Sequence, residues 1–386
     1  MRIAVFDYMV TLNNPAGSCH RLLIERLCDQ HEFTVFSVRF DNPRPDRVRW
    51  IPVRSILRPL VALFVSFHLS ALVNYFRFRQ RSHFSLVQSI ESNFGCGDVV
   101  YAHFCHRWFL RHYWNSCKPS GVRGLMRWMD HVLHAALEPA VFRRAKWIVA
   151  ASSSLAREIE EQYPFAAHKL RTISNAVDVA AYTLDPGFDR ESFRERLGLA
   201  KGCSLVVFIA LGQFERKGLP LLIDAIAPLR DESLQLCVVG GTKDLVRDYQ
   251  REVEERGLAH RIQFSGVQAD VRPYLWAADL VALPSHYEVF PLVVLQAAAA
   301  ERPLLVTRKG GADQLEGQGC LVIEPRVEDI RRGLEFFANL GAAQRSALGR
   351  AARLRAEVFC ADRFVDQWSR LYGEIAASQV EVCSHG

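Results

Sequence analysis

A glutamate, a proline and a glutamine stand close together in the segment HYEVFPLVVLQ. Pro291 fits the first turn of a helix, because the N–H that proline lacks would have no partner there. The amides of Leu292 and Val293 would then point off the helix end, where the dipole favours a phosphate. Gln296 falls on the same helical face and could reach a ribose, while Glu288 could accept hydrogen bonds from sugar hydroxyls. A helix-start carboxylate favoured by the dipole is the simpler alternative for Glu288.

Two further segments place cations or a glycine after a strand-like run. In ALGQFERKGLP, Gly212 precedes Arg216 and Lys217, and ligands of open α/β sheets collect at the carboxyl ends of strands. Two cations there could neutralise a diphosphate, although a solvated basic turn has the same composition. In NNPAGSCHRLLIERL, Gly17 opens a helix after the first strand and would allow a phosphate close to the backbone. Together the three segments predict a nucleotide-sugar site.

Strand-like and helical segments alternate along almost the whole chain, which predicts parallel sheets with helices on both faces. A chain of 386 residues is long enough for two domains. A polar stretch around Pro186 and Gly187 interrupts the alternation, and we place the boundary near it. We therefore predict an α/β protein with two doubly wound, Rossmann-like lobes facing a central cleft. The predicted parts are residues 1–180, residues 181–363, and a C-terminal helix and tail, residues 364–386, that returns to the first lobe.

The composition and net charge of the chain narrow the classes of molecule that it could bind. The formal net charge of +6 suits anionic partners such as nucleotide phosphates, acidic lipid or nucleic acid. Nucleic acid is disfavoured, because the arginines are spread along the chain and no stacking motif is visible. The ten cysteines form no CxxC pair, so a zinc knuckle or a redox pair is not supported. The first residues, MRIAVFDYMV, resemble a strand more than a signal peptide, and we expect a cytoplasmic protein.

Residues 54–81 form an apolar run with arginines at both ends. Ser66, His68 and Ser70 interrupt the run, which is short for a bilayer span. A membrane-surface helix, a buried domain helix and a transmembrane helix are all compatible with this composition. The basic ends favour the first, with peripheral attachment to anionic lipid.

The chain resembles the retaining glycosyltransferases of family four, which have the two-lobed GT-B fold. The segment FSGVQADVRPYLWAADLVALPSHYEVFPLVVLQAAAAERPLLVTRKGGADQL follows the family pattern almost position by position. TISNAVDVAAY resembles the segment that ends the first lobe, with Ala176 in place of the usual glycine. The resemblance covers nearly the whole chain. It implies that the first lobe binds the acceptor and the second the nucleotide sugar.

The resemblance also assigns roles to particular residues. Glu288 matches the first glutamate of a Glu-x7-Glu motif and would face the donor sugar, while Gln296 stands where the second glutamate holds the ribose. Lys217 matches the phosphate-binding lysine, and Arg216 would compensate for Gln213, which replaces an arginine. The full set implied for the donor comprises Gly17 (with Ala16 in place of the first loop glycine), Gly212, Arg216, Lys217, Val267 beside the base, Phe290, Pro291, Leu292, Val293 and Gln296.

Histidines follow the predicted strand DVVYAHF, where the family often has a histidine near the hydroxyls of the donor sugar. His103 alternates with its neighbours as a strand end would, so we prefer it, together with Glu288 and Lys217, as a catalytic residue. His106 is the second choice and could instead meet the acceptor. No Asp-x-Asp occurs in the chain, so we expect no metal at the diphosphate and no cofactor.

The resemblance implies a retaining hexosyltransferase, and the missing Asp-x-Asp agrees with the metal-independent chemistry that it also implies. Its donor would be a UDP- or GDP-sugar, and its acceptor a lipid-linked or cell-envelope polysaccharide at the inner face of a membrane. Two alternatives share the architecture. One is a nucleotide-sugar epimerase, and the other is a non-catalytic nucleotide-sugar-binding subunit, which Gln213 and Gln296 favour.

Overall fold

The structure is a computed structural model that describes residues 1–12, 14–308, 315–317 and 319–384. The side chains of residues 80, 81 and 380–384 also lie outside the description, so Arg81, part of the predicted basic end of 54–81, is not discussed further. The chain divides into two compact units. Unit 1 comprises Met1–Asn115, Pro119–Asn175 and Ala361–Gly386, and unit 2 comprises Ser116–Lys118 and Ala176–Cys360.

The unit boundaries differ slightly from the predicted domain boundaries of 180 and 363. The chain enters the main part of unit 2 at Ala176 and leaves it at Cys360. Val177 forms a parallel bridge with Cys360, and its amide donates to the carbonyl of Phe359 at 3.0 Å. The segments by which the chain enters and leaves unit 2 are therefore held side by side at this point. The C-terminal helix belongs to unit 1.

Unit 1 alternates strands and helices along most of its length. Its strands are β1 (Arg2–Phe6), β2 (Met9–Val10), β3 (Glu32–Ser37), β4 (Arg39–Phe40), β5 (Arg49–Pro52), β6 (Leu86–Ile90), β7 (Val99–Ala102), β8 (Trp147–Ala150) and β9 (Leu170–Thr172). Its helices are α1 (Pro15–Leu27), α2 (Leu60–Ser82), α3 (His106–His112), α4 (Trp114–Cys117, which runs into the segment assigned to unit 2), α5 (Gly121–Arg144), α6 (Ser153–Gln162) and the C-terminal α14 (Ala361–Ser384), with a 3-10 turn at Pro164–Lys169.

Unit 2 has the same alternation. Its strands are β10 (Ser204–Ile209), β11 (Leu234–Val239), β12 (Ile262–Gly266), β13 (Leu280–Leu283), β14 (Leu304–Thr307) and β15 (Cys320–Ile323). Its helices are α7 (Arg190–Arg196), α8 (Leu219–Ile226), α9 (Lys243–Glu255), α10 (Arg272–Ala277), α11 (Leu292–Ala299), α12 (Val327–Ala338) and α13 (Ala342–Glu357), with a 3-10 turn at Ala180–Tyr182.

Each unit is built on one main parallel sheet. Among the described residues, the strand order is β5-β3-β1-β6-β7-β8-β9 in unit 1 and β12-β11-β10-β13-β14-β15 in unit 2. In unit 2 the chain runs outward from β10 through β11 and β12, then returns to the other side of β10 with β13. In register, Val206 pairs with Leu280 and Val207 with Val281. The order thus reverses between β10 and β13, and ligands of doubly wound sheets bind at the carboxyl ends of the strands flanking such a point.

Helix α2 contains most of the apolar run at residues 54–81, for which the sequence allowed three alternatives. One face packs into the core of unit 1 through Phe67 and Ala71, both fully buried. Unit 1 therefore includes this helix as a packed domain element. The opposite face carries exposed apolar side chains at helical spacing: Val65, Leu69, Val73 and Phe76. By length and composition alone, Leu60–Arg79 is, within the described residues, the helix segment long and apolar enough to cross a membrane, with a mean hydropathy of 1.4. The expectation that this run is short for a bilayer span was therefore wrong.

Candidate functional site

The loops that follow β10 and β13 meet at one edge of the unit 2 sheet. Because the two strands are parallel neighbours, their carboxyl ends lie at the same edge. The loop after β10 carries Arg216 and Lys217, and the loop after β13 carries Glu288. The amide of His286 donates to the carbonyl of Arg216 at 2.9 Å, which ties the two loops together.

Gly218 allows this close approach. Its φ of +80° lies in the left-handed region, and a Cβ added there would stand 2.0 Å from the carbonyl oxygen of Pro284. A side chain would therefore clash with backbone that cannot move without shifting the loop after β13. Since Lys217 precedes this glycine directly, the contact fixes where the lysine side chain begins.

Arg216, Lys217 and Glu288 form a buried charge cluster. Oε1 of Glu288 accepts from Nη1 of Arg216 at 2.8 Å and from Nζ of Lys217 in a shorter ion pair. The three side chains are only 11–17% exposed. Arg216 also donates to the carbonyl of Tyr287 at 2.7 Å and to Oε1 of Gln213 at 2.6 Å. Gln213 therefore orients Arg216. It occupies the position of an arginine in the family that the chain resembles.

The cluster carries two positive charges and one negative charge. Burial raises the pKa of Glu288, but Arg216 and Lys217 outweigh it and hold that pKa below its ordinary value. Burial and the neighbouring Arg216 lower the pKa of Lys217 against the opposing effect of Glu288. The carboxylate is thus ionised, and the excess positive charge can stabilise an anion in this partly desolvated place.

Helix α11 begins beside Glu288. Its N-cap residue Pro291 makes no side-chain capping hydrogen bond. The first backbone bond of the helix runs from the amide of Val294 to the carbonyl of Pro291. The amides of Leu292 and Val293 therefore precede the first intrahelical donor and lie at the positive end of the helix dipole.

Two other predicted residues on this segment have protein partners. Phe290 is buried and packs edge-on against Phe359, with ring centroids 4.9 Å apart, so it anchors the loop. Gln296 forms a side-chain hydrogen bond with Tyr182, whose pKa burial raises to about 12. A ribose that reached Gln296 would share it with this hydroxyl.

Glycines line the same edge of the unit 2 sheet. Gly212 follows β10 with open space where a Cβ would stand, and Val267, which follows β12, is exposed. Sequence reasoning missed Gly240 and Gly241 after β11, although the doublet VVGG was a visible signal. Gly240 has φ +105°, and a Cβ there would stand 2.0 Å from the carbonyl oxygen of Ala210. The loops after β10 and β11 therefore pack backbone to backbone.

In unit 1, Gly17 has a packing role. A Cβ at this position would lie 1.9 Å from the carbonyl oxygen of Met9, so the missing side chain lets α1 pack on β2. The amide of Gly17 donates to Oδ1 of Asn14, the N-cap residue of α1, at 2.8 Å. The predicted contact of Gly17 with a phosphate remains a prediction.

His103 follows β7, as predicted. Its Nε2 atom is buried and has no hydrogen-bond partner among the described residues. Burial and the neighbouring His20 lower the pKa of His103 to about 3, so the imidazole is neutral at physiological pH. Its ring packs edge-on against Tyr101 with centroids 4.2 Å apart. A neutral imidazole whose Nε2 atom has no partner among the described residues can exchange a hydrogen bond with a hydroxyl.

The structure places His106 in a different set of contacts. Its ring contacts Glu91 and His131, and its backbone amide donates to Glu138. His134 stacks on it. Sequence reasoning missed these partners, although HVLH in α5 was the visible signal, since histidines three residues apart share a helical face.

Comparisons with known proteins agree with this architecture. Residues 19–181 match the family described as Glycosyltransferase Family 4, and residues 205–336 match Glycosyl transferases group 1. The chain is 30% identical over 257 residues to D-inositol 3-phosphate glycosyltransferase of Gordonia bronchialis, covering 62% of this chain and 55% of the relative. It thus spans little more than half the length of that relative.

Solved structures share the fold. Sucrose-phosphate synthase of Thermosynechococcus elongatus aligns with a TM-score of 0.79 and 17% identity, covering 98% of this chain and 99% of that one. HepE of Anabaena, in complex with UDP-glucose, aligns with a TM-score of 0.75 and 17% identity, covering 97% of this chain and 100% of that one. The architecture is therefore GT-B, as predicted. The matches to these two glycosyltransferase models confirm the resemblance to the family-four glycosyltransferases.

Proposed function

We propose that this protein is a retaining hexosyltransferase that takes its sugar from a UDP- or GDP-sugar without a metal at the diphosphate. The acceptor would be a lipid-linked or cell-envelope polysaccharide. The observation that carries the proposal is the buried cluster of Arg216, Lys217 and Glu288 beside the uncapped start of α11.

The diphosphate of the donor would bind to the positive side of this cluster. Lys217 and Arg216 supply charge, and the amides of Leu292 and Val293 supply donors at the positive end of a helix. Negative charge grows on the leaving phosphate as the glycosidic bond breaks. Groups already fixed by Glu288 and Gln213 need little reorganisation to stabilise that charge, which lowers the barrier.

Glu288 would have two tasks. Its Oε1 atom holds both cations, and its Oε2 atom would accept hydrogen bonds from the hydroxyls of the donor sugar. His103, as a neutral imidazole, would be the second group that orients the sugar. Retention by front-face attack, with the departing phosphate taking the proton of the acceptor, is what the resemblance to family four implies. Among the described residues the cluster contains one carboxylate, Glu288, which supports it, because double displacement of the glycosidase kind uses a pair.

The HepE complex with UDP-glucose makes UDP-glucose the first donor to test. Gly212, Gly240 and the exposed Val267 form the part of the sheet edge where a base could be held through backbone contacts. Gln296, already bonded to Tyr182, would bind the ribose more weakly than a carboxylate.

We infer that the protein is cytoplasmic and attaches to a membrane surface, and the exposed face of α2 supports the attachment. Arg54 and Arg58 precede the helix, Arg77 and Arg79 lie in its last turns, and the stripe from Val65 to Phe76 lies between them. Apolar side chains that enter the interface and arginines that meet anionic lipid are the features of a helix lying in the membrane plane. A lipid-linked acceptor would be met at such a surface.

Purified protein incubated with UDP-glucose, GDP-mannose and related donors provides the test. We expect slow release of the nucleoside diphosphate from one donor, since water can replace a missing acceptor. Binding of a nucleotide, measured as a raised unfolding midpoint, without any turnover would instead support the non-catalytic subunit. Failure of all nucleotides to bind would reject both.

A further inference from the structure

Unit 1 contains a second polar cluster, built from residues that the proposed donor site does not use. Glu91 follows β6, His106 begins α3, and His134 lies in the middle of α5. One carboxylate oxygen and two imidazole nitrogens from these residues lie within 4.8 Å of one another. Three elements distant in sequence bring them together, so helical spacing alone does not explain the cluster.

The distances fit a small metal ion. Oε2 of Glu91 lies 3.3 Å from Nε2 of His106. A tetrahedral ion with bonds of about 2.0–2.1 Å holds neighbouring ligand atoms about 3.3 Å apart. Oδ1 of Asp130 lies 3.8 Å from Nε2 of His134 and offers a fourth ligand. Two imidazoles and two carboxylates would leave a bound Zn²⁺ electrically neutral in this mostly buried place.

Both imidazoles have their other nitrogen occupied. Nδ1 of His106 lies 2.9 Å from Nδ1 of His131, and Nδ1 of His134 lies 2.7 Å from the hydroxyl of Ser92. With these hydrogen bonds made through Nδ1, each Nε2 keeps the lone pair that a metal needs. Such outer partners fix the tautomer and the ring orientation of metal-binding histidines.

The backbone at Glu91 is unusual. Its φ of +47° lies in the left-handed region, which residues other than glycine rarely adopt. The amide of Glu91 donates to the carbonyl of Tyr101 at 3.0 Å, which holds this conformation. Strained residues of this kind concentrate at functional sites.

The rings of His106 and His134 are stacked, with centroids 4.4 Å apart and planes inclined by 13°. Because each Nε2 lone pair lies in the plane of its own ring and the two planes are nearly parallel, at least one ring must turn for both nitrogens to meet one ion. Metal binding would replace this stacking.

We propose that Glu91, His106 and His134, with Asp130 as the fourth ligand, bind one Zn²⁺ ion in unit 1. Four ligands that combine imidazole nitrogens with carboxylate oxygens are typical of a tetrahedral zinc site, whereas calcium and magnesium prefer oxygen ligands alone. With four protein ligands the site is closed, so the ion would join β6, α3 and α5 and not activate water. The proposal is independent of the proposed donor site.

The test measures zinc on the full chain, prepared without a histidine tag, stripped with a chelator, reloaded with Zn²⁺ alone and desalted. Glu91→Gln and His134→Gln each remove one ligand. His112→Gln is the control, because His112 is exposed on α3 and belongs to no part of the cluster. We expect about one zinc per chain in the wild type and the control, and at least a tenfold lower retention in the two ligand variants.

Absence of retained zinc in the wild type would overturn the proposal, as would unchanged retention in Glu91→Gln. If His134→Gln does not fold, the Co²⁺ spectrum of the wild-type protein decides. Intense visible bands of a tetrahedral ion support the site, and the weak spectrum of a hexa-coordinate ion contradicts it.

Discussion

Lys217 combines a nearly buried ammonium group with a direct ion pair to Glu288. Its position depends on the carboxylate, and the charge of the carboxylate is in turn maintained by Lys217 and Arg216. Removing either partner of a buried pair leaves an uncompensated charge. The three residues therefore act as one unit, and their single substitutions are not additive.

Replacing Lys217 by alanine should lower the rate of donor turnover on the order of 100-fold, the usual effect of removing one group that stabilises the leaving charge. Steady-state kinetics with the active donor check this. Lys201→Ala is the matched control, since Lys201 lies in the same unit with its side chain 88% exposed. Equal turnover in Lys217→Ala and the control would remove Lys217 from the mechanism.

The lowered pKa of Lys217 gives a pH prediction. The protonated form binds the diphosphate, so kcat/KM should fall as pH rises through the pKa of Lys217, at a pH below the ordinary lysine value of about 10.4. Arginine does not lose its proton in this range. Lys217→Arg should therefore abolish that alkaline limb while keeping part of the activity. If kcat/KM falls at the same alkaline pH in the wild type and in Lys217→Arg, the titrating group is not Lys217.

At the scale of the elements, the contact between the loops after β10 and β13 depends on Gly218. Alanine there would meet both a left-handed backbone and the carbonyl of Pro284. Gly257 also has a positive φ, +70°, but open space around it. We expect Gly257→Ala to lower the free energy of unfolding by about 1 kcal/mol through the backbone conformation alone.

Gly218→Ala should be clearly more destabilising than Gly257→Ala, by at least about 1–2 kcal/mol more, since backbone must move. Denaturant unfolding of both variants measures the difference. If the free energy of unfolding falls equally in the two glycine variants, the close approach of Gly218 to Pro284 does not hold together the loops after β10 and β13.

Helix α2 yields a prediction about membranes. Leu69→Glu combined with Val73→Glu should abolish flotation of the protein with anionic liposomes, because the exposed stripe would no longer enter the interface. Leu354→Glu is the control, since Leu354 is an equally exposed leucine on α13 of unit 2. Absence of flotation in the wild type, or flotation of the double variant, would contradict peripheral attachment.

At the scale of the whole molecule, the alternation of apolar runs and helical patterns was enough to predict two parallel-sheet units. The strand-like runs of the sequence became strands because their buried residues are continuous, as in β10 and β11, where every residue is buried. The membership of the C-terminal helix in unit 1 was likewise expected from its apolar and aromatic residues.

Contacts between residues far apart in the chain could not be predicted from the sequence. Glu288 and Arg216 are 72 positions apart, and nothing in either segment showed that they form an ion pair. The contact between Gly218 and Pro284 and the orphaned nitrogen of His103 likewise depend on how separate loops pack. Patterns predict elements, whereas such pairings are set by tertiary geometry.

The most direct measurement is the crystal structure of the protein with bound UDP or GDP. The account predicts that the diphosphate lies within hydrogen-bond distance of Nζ of Lys217 and of the amides of Leu292 and Val293. A nucleotide bound elsewhere, or one that leaves Lys217 paired with Glu288 alone, would contradict it.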